Sequence, residues 1–210
     1  MPNNRRWKTR IFCATSLNGY LARSDHSLTW LTSPSPNPSH PTPTPSSSKA
    51  TPTFEEHMAT VDFIVMGRQT FDVCMSFQEW PYPKEKELLV LSRTLGSIPE
   101  EQMEVKGLVA AKVRVIRSME EAEAVLDAEA TVGRMVYVDG GETGREFLRR
   151  GWVDEVVLTV APVVLAGGGR GLFGSLGEEL EEDLELTLVG VDIIEHGMVT
   201  VYYKVKGPEA

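Results

Sequence analysis

Four places in this chain set glycine, arginine and hydroxyl side chains directly after a short apolar run. The first is Met66-Gly67-Arg68-Gln69-Thr70. Glycine behind a strand permits a tight turn, and a helix opening there leaves N–H groups free for an anion. Arg68 adds a cation whose fork matches phosphate oxygens. The second is Leu91-Ser92-Arg93-Thr94, a guanidinium between two hydroxyls, which suits a phosphate monoester. The third is Ile116-Arg117-Ser118, again arginine beside a hydroxyl. The fourth is Asp139-Gly140-Gly141-Glu142-Thr143-Gly144. Its paired glycines let the main chain come close to a ligand, and the helix that follows points its amides at a pyrophosphate. Any one of the arginines alone is an ordinary surface residue. Three of them with hydroxyls, plus one glycine-rich helix start, fit a dinucleotide that carries an additional 2′-phosphate.

Strands must hold these groups at one edge. Apolar runs predict strands at Ile11–Ala14, Phe63–Met66, Leu88–Leu91, Val113–Ile116, Met135–Val138, Val156–Ala161, Leu184–Val189 and Val199–Val205. Capping boxes at Thr53–Glu56 and Ser118–Glu121 open helices to about Ala59 and Ala128. Further helices are expected over Thr70–Phe77 and from about Thr143 to Arg149. Alternation of strand and helix predicts a largely parallel sheet. The last two strands have no helix between them, which predicts an antiparallel edge. In such sheets ligands bind at the carboxyl ends of the strands, where all four clusters fall.

The composition narrows the function. A net charge of −9 disfavours a nucleic-acid partner. No apolar run reaches the length of a membrane span, and the basic start lacks the apolar stretch of a secretory signal. The two cysteines, Cys13 and Cys74, lie in apolar settings and read as small buried hydrophobes. No cysteines or histidines stand at metal-ligand spacing, so no metal is expected. These features predict a cytoplasmic protein. Residues 33–52 read SPSPNPSHPTPTPSSSKATP, a composition that cannot bury apolar surface, and they are expected to be a disordered loop insertion in one domain spanning 1–210. Gly169-Arg170-Gly171-Leu172-Phe173-Gly174 matches the G-x-G-x-x-G fingerprint. It lacks the strand directly before it and the long helix after it, so a Rossmann dehydrogenase is disfavoured.

With these motifs in order over about residues 10–205, the sequence resembles the dihydrofolate-reductase-like superfamily. It is most similar to the reductase domain of the riboflavin-biosynthesis deaminase-reductase and its stand-alone relatives. The run Thr159-Val160-Ala161-Pro162 through Gly167-Gly168-Gly169-Arg170-Gly171-Leu172-Phe173 carries the likeness to that branch. The resemblance implies a three-layer α/β fold: a mixed, mostly parallel sheet of about eight strands with an antiparallel C-terminal edge and helices on both faces. It implies NADPH as cofactor, held by Ala14, Gly67, Arg68, Thr70, Ser92, Arg93, Thr94, Arg117, Ser118 and the turn Gly140, Gly141, Glu142, Thr143 and Gly144. Asn18 and Thr159 take the catalytic positions. Leu21, Trp30, Phe54, Pro162 and Arg170 take the substrate side, Arg170 being placed to meet a substrate phosphate. The reaction implied is hydride transfer to a C=N or C=O of a small heterocycle, a ribosylaminopyrimidine first. A pterin reductase and a non-catalytic NADP-binding protein are the alternatives. The branch has aspartate where this chain has Asn18, and Glu55 and Glu56 do not fall on the carboxylate position that binds pterin. A homodimer with a small-molecule substrate is the expected assembly.

Overall fold

The computed structural model describes residues 5–32, 44, 45, 49–109, 112–174, 176, 180 and 182–206. The chain forms, in order, β1 (Lys8–Ser16), β2 (Tyr20–Arg23), α1 (Thr29–Thr32), α2 (Phe54–Thr60), β3 (Val61–Gly67), α3 (Arg68–Ser76), β4 (Glu87–Leu91) and α4 (Glu100–Val105). It continues through β5 (Val113–Ile116), α5 (Met119–Glu129), β6 (Met135–Asp139), α6 (Gly141–Arg149), β7 (Glu155–Ala161), β8 (Gly169–Gly171), β9 (Leu186–Ile193) and β10 (Val199–Val205). Eight strands make one sheet in the order β5-β4-β3-β6-β1-β7-β10-β9. The pairs from β5 to β7 are parallel. β10 runs antiparallel to both β7 and β9, which is the expected edge.

The two-residue period of the strands builds two cores. Phe63, Val65, Leu89, Val136 and Val138 point to one face and pack with Leu126 of α5 and Phe147 of α6. Ile64, Met66, Leu88, Val90 and Tyr137 alternate with them and pack with Met58 of α2, Phe71 of α3 and Met103 of α4. Successive side chains of a strand leave on opposite faces, so apolar residues in unbroken runs demand helices on both sides. The three-layer α/β arrangement follows.

Thr53 caps α2: its hydroxyl accepts from Glu56 N, and the Glu56 carboxylate accepts from Thr53 N at 2.9 Å. Ser118 caps α5 by accepting from Glu121 N. Several expected boundaries move by a few residues. Helix α6 starts at Gly141 rather than Thr143, and the ninth strand runs to Ile193 rather than ending at Val189. Gly190 resembles a stop in the sequence, yet the strand continues because the Ala50 main chain crosses there. A Cβ at Gly190 would lie 2.3 Å from Ala50 O.

That crossing also corrects the insertion. Most of 33–52 lies outside the described residues, but its last part docks on β9. Asp192 Oδ2 accepts from Ala50 N at 2.8 Å, Thr51 N at 2.6 Å and Thr51 Oγ1 at 2.7 Å. Thr51 is buried. Helices α1 and α4 and the small ribbon β2–β8 have no counterpart among the expected elements. None of the helices among the described residues is long and apolar enough to cross a membrane.

Candidate functional site

A cavity of about 1450 Å³ runs along the carboxyl ends of β5, β4, β3, β6, β1 and β7. It collects Ala14, Leu21, Phe54, Gly67, Arg68, Thr70, Ser92, Arg93, Thr94, Arg117, Ser118, Gly140, Gly141, Glu142, Thr143, Thr159 and Arg170, all of them expected from the sequence.

Helices α3 and α6 open side by side at its centre. Neither has a side-chain cap, so their first N–H groups face the cavity unassisted. The two turns fit against each other closely. Gly140 has φ of +89°, and a Cβ there would meet Thr70 Oγ1 at 2.2 Å. Only glycine satisfies both the backbone and the space. Gly144 does not face the cavity. It is buried, and a Cβ there would touch Ile11 and Leu172, so it serves the packing of α6 on the sheet.

The cavity arginines differ in what holds them. Arg68 pairs with Asp72 through Nε at 2.6 Å. Arg117 spends its guanidinium on main-chain carbonyls: Ser92 O and Gly96 O at 3.0 Å each, and Leu95 O. It braces the turn after β4 from the cavity wall, a structural role that the sequence did not reveal. Arg170 pairs with Glu142 across 3.6 Å. Arg145 donates to Gly171 O at 2.8 Å and ties α6 to β8. Arg93 is exposed and alone among the cavity arginines makes no hydrogen bond or ion pair among the described residues. Beside it, Ser92 Oγ accepts from Leu95 N at 3.0 Å.

Three substrate-side expectations are corrected. Asn18 is turned away from the cavity: its Oδ1 accepts from Leu165 N at 3.0 Å and from Ser16 Oγ at 2.8 Å, and its Nδ2 donates to Leu165 O at 3.1 Å. Its amide clamps the loop after β7 to the turn after β1. Trp30 is buried among Ala161 and Leu165 and forms core. Pro162 is exposed outside the cavity. The first two glycines of the G-x-G-x-x-G match, Gly169 and Gly171, belong to β8, which pairs with β2. A Cβ at Gly169 would lie 2.3 Å from Ala22 O, so strand pairing explains that glycine.

The sequence did not single out the titratable group at the centre. Asp139, at the end of β6, faces the cavity and accepts a short hydrogen bond from the Tyr82 hydroxyl. Burial pushes the Asp139 carboxyl up, while Tyr82, Tyr137 and Gly140 N pull it down by hydrogen bonding. Burial, with Asp139 next, pushes the Tyr82 phenol well up. Cys74 lies 3.5 Å from Tyr82, and burial raises its thiol to about 12. Burial raises Cys13 as well. Both thiols stay protonated, in keeping with inert buried cysteines. Asp139 was within reach of sequence reading, as a carboxylate just before paired glycines. Tyr82 sits in a Trp-Pro-Tyr-Pro loop that carries no pattern.

Comparison with known proteins now decides the family. The model of the RibD C-terminal domain matches residues 8–200. The chain belongs to that reductase-like family. A solved protein of Shewanella sp. PV-4, named for riboflavin biosynthesis, is 32% identical; the match covers 95% of this chain and 99% of that one, with a TM-score of 0.72. The uncharacterized protein YwjB of Bacillus subtilis (strain 168) is 26% identical over 185 residues, 87% of this chain and 90% of the relative. The diaminohydroxyphosphoribosylaminopyrimidine deaminase/5-amino-6-(5-phosphoribosylamino)uracil reductase of Thermotoga maritima shares the fold at a TM-score of 0.62 and 15% identity, over 57% of its length.

Proposed function

We propose that this RibD-type chain is an NADPH-dependent reductase that reduces a C=N or C=O of a small heterocyclic substrate. The cavity carries the reading. At about 1450 Å³ it exceeds the roughly 300–1,000 Å³ of a site for one small ligand and has room for cofactor and substrate together. The residues fit the cofactor. Two uncapped helix starts suit its pyrophosphate, and Arg93, which makes no hydrogen bond or ion pair among the described residues, suits the 2′-phosphate together with Ser92 and Thr94. When bound, the nicotinamide supplies the hydride.

The chain's own part is position and the proton. Asp139 and Tyr82, rather than Asn18, are the polar groups beside the reacting atoms, and they can hold a proton there. Burial raises the Asp139 carboxyl above the ordinary range, the direction a general acid needs. Turnover assays with NADPH test the reading, with the ribosylaminopyrimidine of the family as one arm. Asp139→Asn is expected to lower kcat by about 10²-fold or more, with little change in NADPH affinity. An unchanged kcat would remove Asp139 from the reaction, and absence of any NADPH binding would remove the reductase reading itself.

The same reading includes a homodimer. Leu188, Val189 and Val191 are exposed on β9, the outer strand of the sheet, and such edges invite pairing. Light scattering at micromolar concentration is expected to give twice the chain mass; the mass of one chain would reject the dimer.

A further inference from the structure

Most of the positive charge lies on one side of the cavity. Arg68, Arg93 and Arg117 follow β3, β4 and β5, Arg145 and Arg150 belong to the α6 region, and Arg170 is held against Glu142 at the start of α6. The side built from β1, β7 and the stretch before α2 is different. Phe12, Leu28, Leu31, Phe54 and Met198 line it, with the Thr159 hydroxyl between them. Phe54 stacks edge-on against Phe12 at 5.8 Å and tilts towards Tyr82 at 6.3 Å. Leu31 and Met198 pack on one small cluster. Phe54 remains 40% exposed, an aromatic face turned to open space. The residues outside the described set contain no lysine or arginine.

The way out of this side is acidic. A smaller recess of about 510 Å³ shares His26, Leu28, Gln69, Val73 and Phe77 with the main cavity and adds Asp25 and Asp72. Asp139 stands at the inner end. An anion placed along this path loses its water, meets Arg68 only where Asp72 already pairs with it, and faces the Asp25 carboxylate. A flat apolar molecule instead covers Phe54, Leu28 and Leu31 and gains from leaving water.

We infer that the substrate is an uncharged, planar compound that carries a C=N or C=O and no phosphate. This rests on the reductase reading for the reacting group, and on the charge pattern alone for the rest. A phosphoribosyl substrate would find here only arginines already paired with Asp72 or Glu142.

Two probes with one ring system test it: isatin, neutral and planar with a ketone, and isatin-5-sulfonate, the same ring with an anion. Calorimetric titration of the whole chain with NADP+ present needs no turnover. At pH 7.5, where an ordinary imidazole is mostly neutral, isatin is expected to bind at least about tenfold more tightly than the sulfonate, a difference of about 1.4 kcal/mol. Leu28→Arg, which sets a cation in the apolar side, is expected to bring the two affinities to within about threefold. Equal or tighter binding of the sulfonate to the unaltered chain overturns the inference. So does the absence of saturable isatin binding, or displacement of isatin by 5-amino-6-(5-phosphoribosylamino)uracil at lower concentration. Neutral preference without any NADPH oxidation would keep the substrate class and remove the reductase reading. NADPH oxidation driven by the phosphoribosyl compound would do the reverse.

Discussion

The two sides of the cavity rest on different foundations. The arginine side stands on turns: Gly67, Ser92, Arg117 and Gly140 each follow a strand by a residue or less, and each turn is set by its own few residues. The apolar side stands on a buried ionic network. Arg10 of β1 donates to Glu155 of β7 through Nε at 2.7 Å and through Nη2, and its Nη1 meets His57 Nδ1 at 3.2 Å. His57 is fully buried, stacks on Phe12 at 4.8 Å and lies 6.3 Å from Phe54. Ligand-facing aromatics are thus held from beneath by charges that no ligand reaches. One side is easily altered in chemistry with little harm to the fold, and the other is hard to alter without harm.

The largest effect should come from breaking the buried network. Glu155→Gln leaves the Arg10 cation buried without its counter-charge and is expected to cost about 3–5 kcal/mol in urea denaturation. Folded protein should keep its NADPH affinity within about twofold, because that side stands on its own turns. Arg10→Met with Glu155→Leu, which removes both charges, should regain most of the loss. The network also sets an acid limit. Burial, and then Arg10, hold the His57 imidazole down to about 3 from 6.5. Between those values the unfolded chain takes up a proton that the folded chain refuses. Stability is therefore full above pH 6.5 and falls as pH drops towards 3, by at most about 1.4 kcal/mol per pH unit from this group. His57→Leu should flatten that slope. An unchanged slope would mean that other groups govern acid unfolding.

What was legible in the sequence follows the same division. Arg68, Ser92, Arg93 and Gly140 were found because turn chemistry is local: a glycine, a hydroxyl and an arginine within a few residues announce themselves. The mostly parallel sheet and its antiparallel edge were legible for a similar reason, since unbroken apolar runs are separated by capped helices until the last two strands. Arg10, His57 and Glu155 were not found, because residues 47 and 145 positions apart meet only after the sheet forms. Asn18 misled because a polar residue in a loop near the cavity looks free, whereas Leu165 engages its amide. Arg117 misled in the same way, its partners being carbonyls that no side-chain pattern reveals.

A middle-sized effect separates two arginines that look alike in sequence. Arg93 has no hydrogen-bond or ion-pair partner among the described residues, so Arg93→Ala should weaken NADPH about tenfold or more, leave NADH unchanged and leave the melting temperature within about a degree. Arg117 holds three carbonyls, so Arg117→Ala should cost roughly 1–3 kcal/mol of stability by chemical denaturation. Its effect on NADPH should be smaller and should come with disorder of the turn after β4. If Arg117→Ala instead changes only the preference for NADPH over NADH, that guanidinium belongs to the phosphate and the division between the sides is less sharp.

The smallest effect tests whether the apolar side needs the long segment that joins Leu31 to Phe54. Loop-closure entropy changes slowly with length, so replacing 33–48 by a short Gly/Ser turn should shift stability by less than about 1 kcal/mol. Isatin affinity should not move. The residues after that segment are another matter. Ala50 and Thr51 give three hydrogen bonds to Asp192, whose side chain is buried on β9. A deletion carried through 52 leaves that carboxylate without these donors and frees the start of α2, where Phe54 sits. It should cost about 1–3 kcal/mol and weaken isatin binding, and Asp192→Ala in the full chain should reproduce both losses. Equal damage from the shorter and the longer deletion would mean that the Pro/Ser segment itself covers the apolar side. The anchor on β9 would then be secondary.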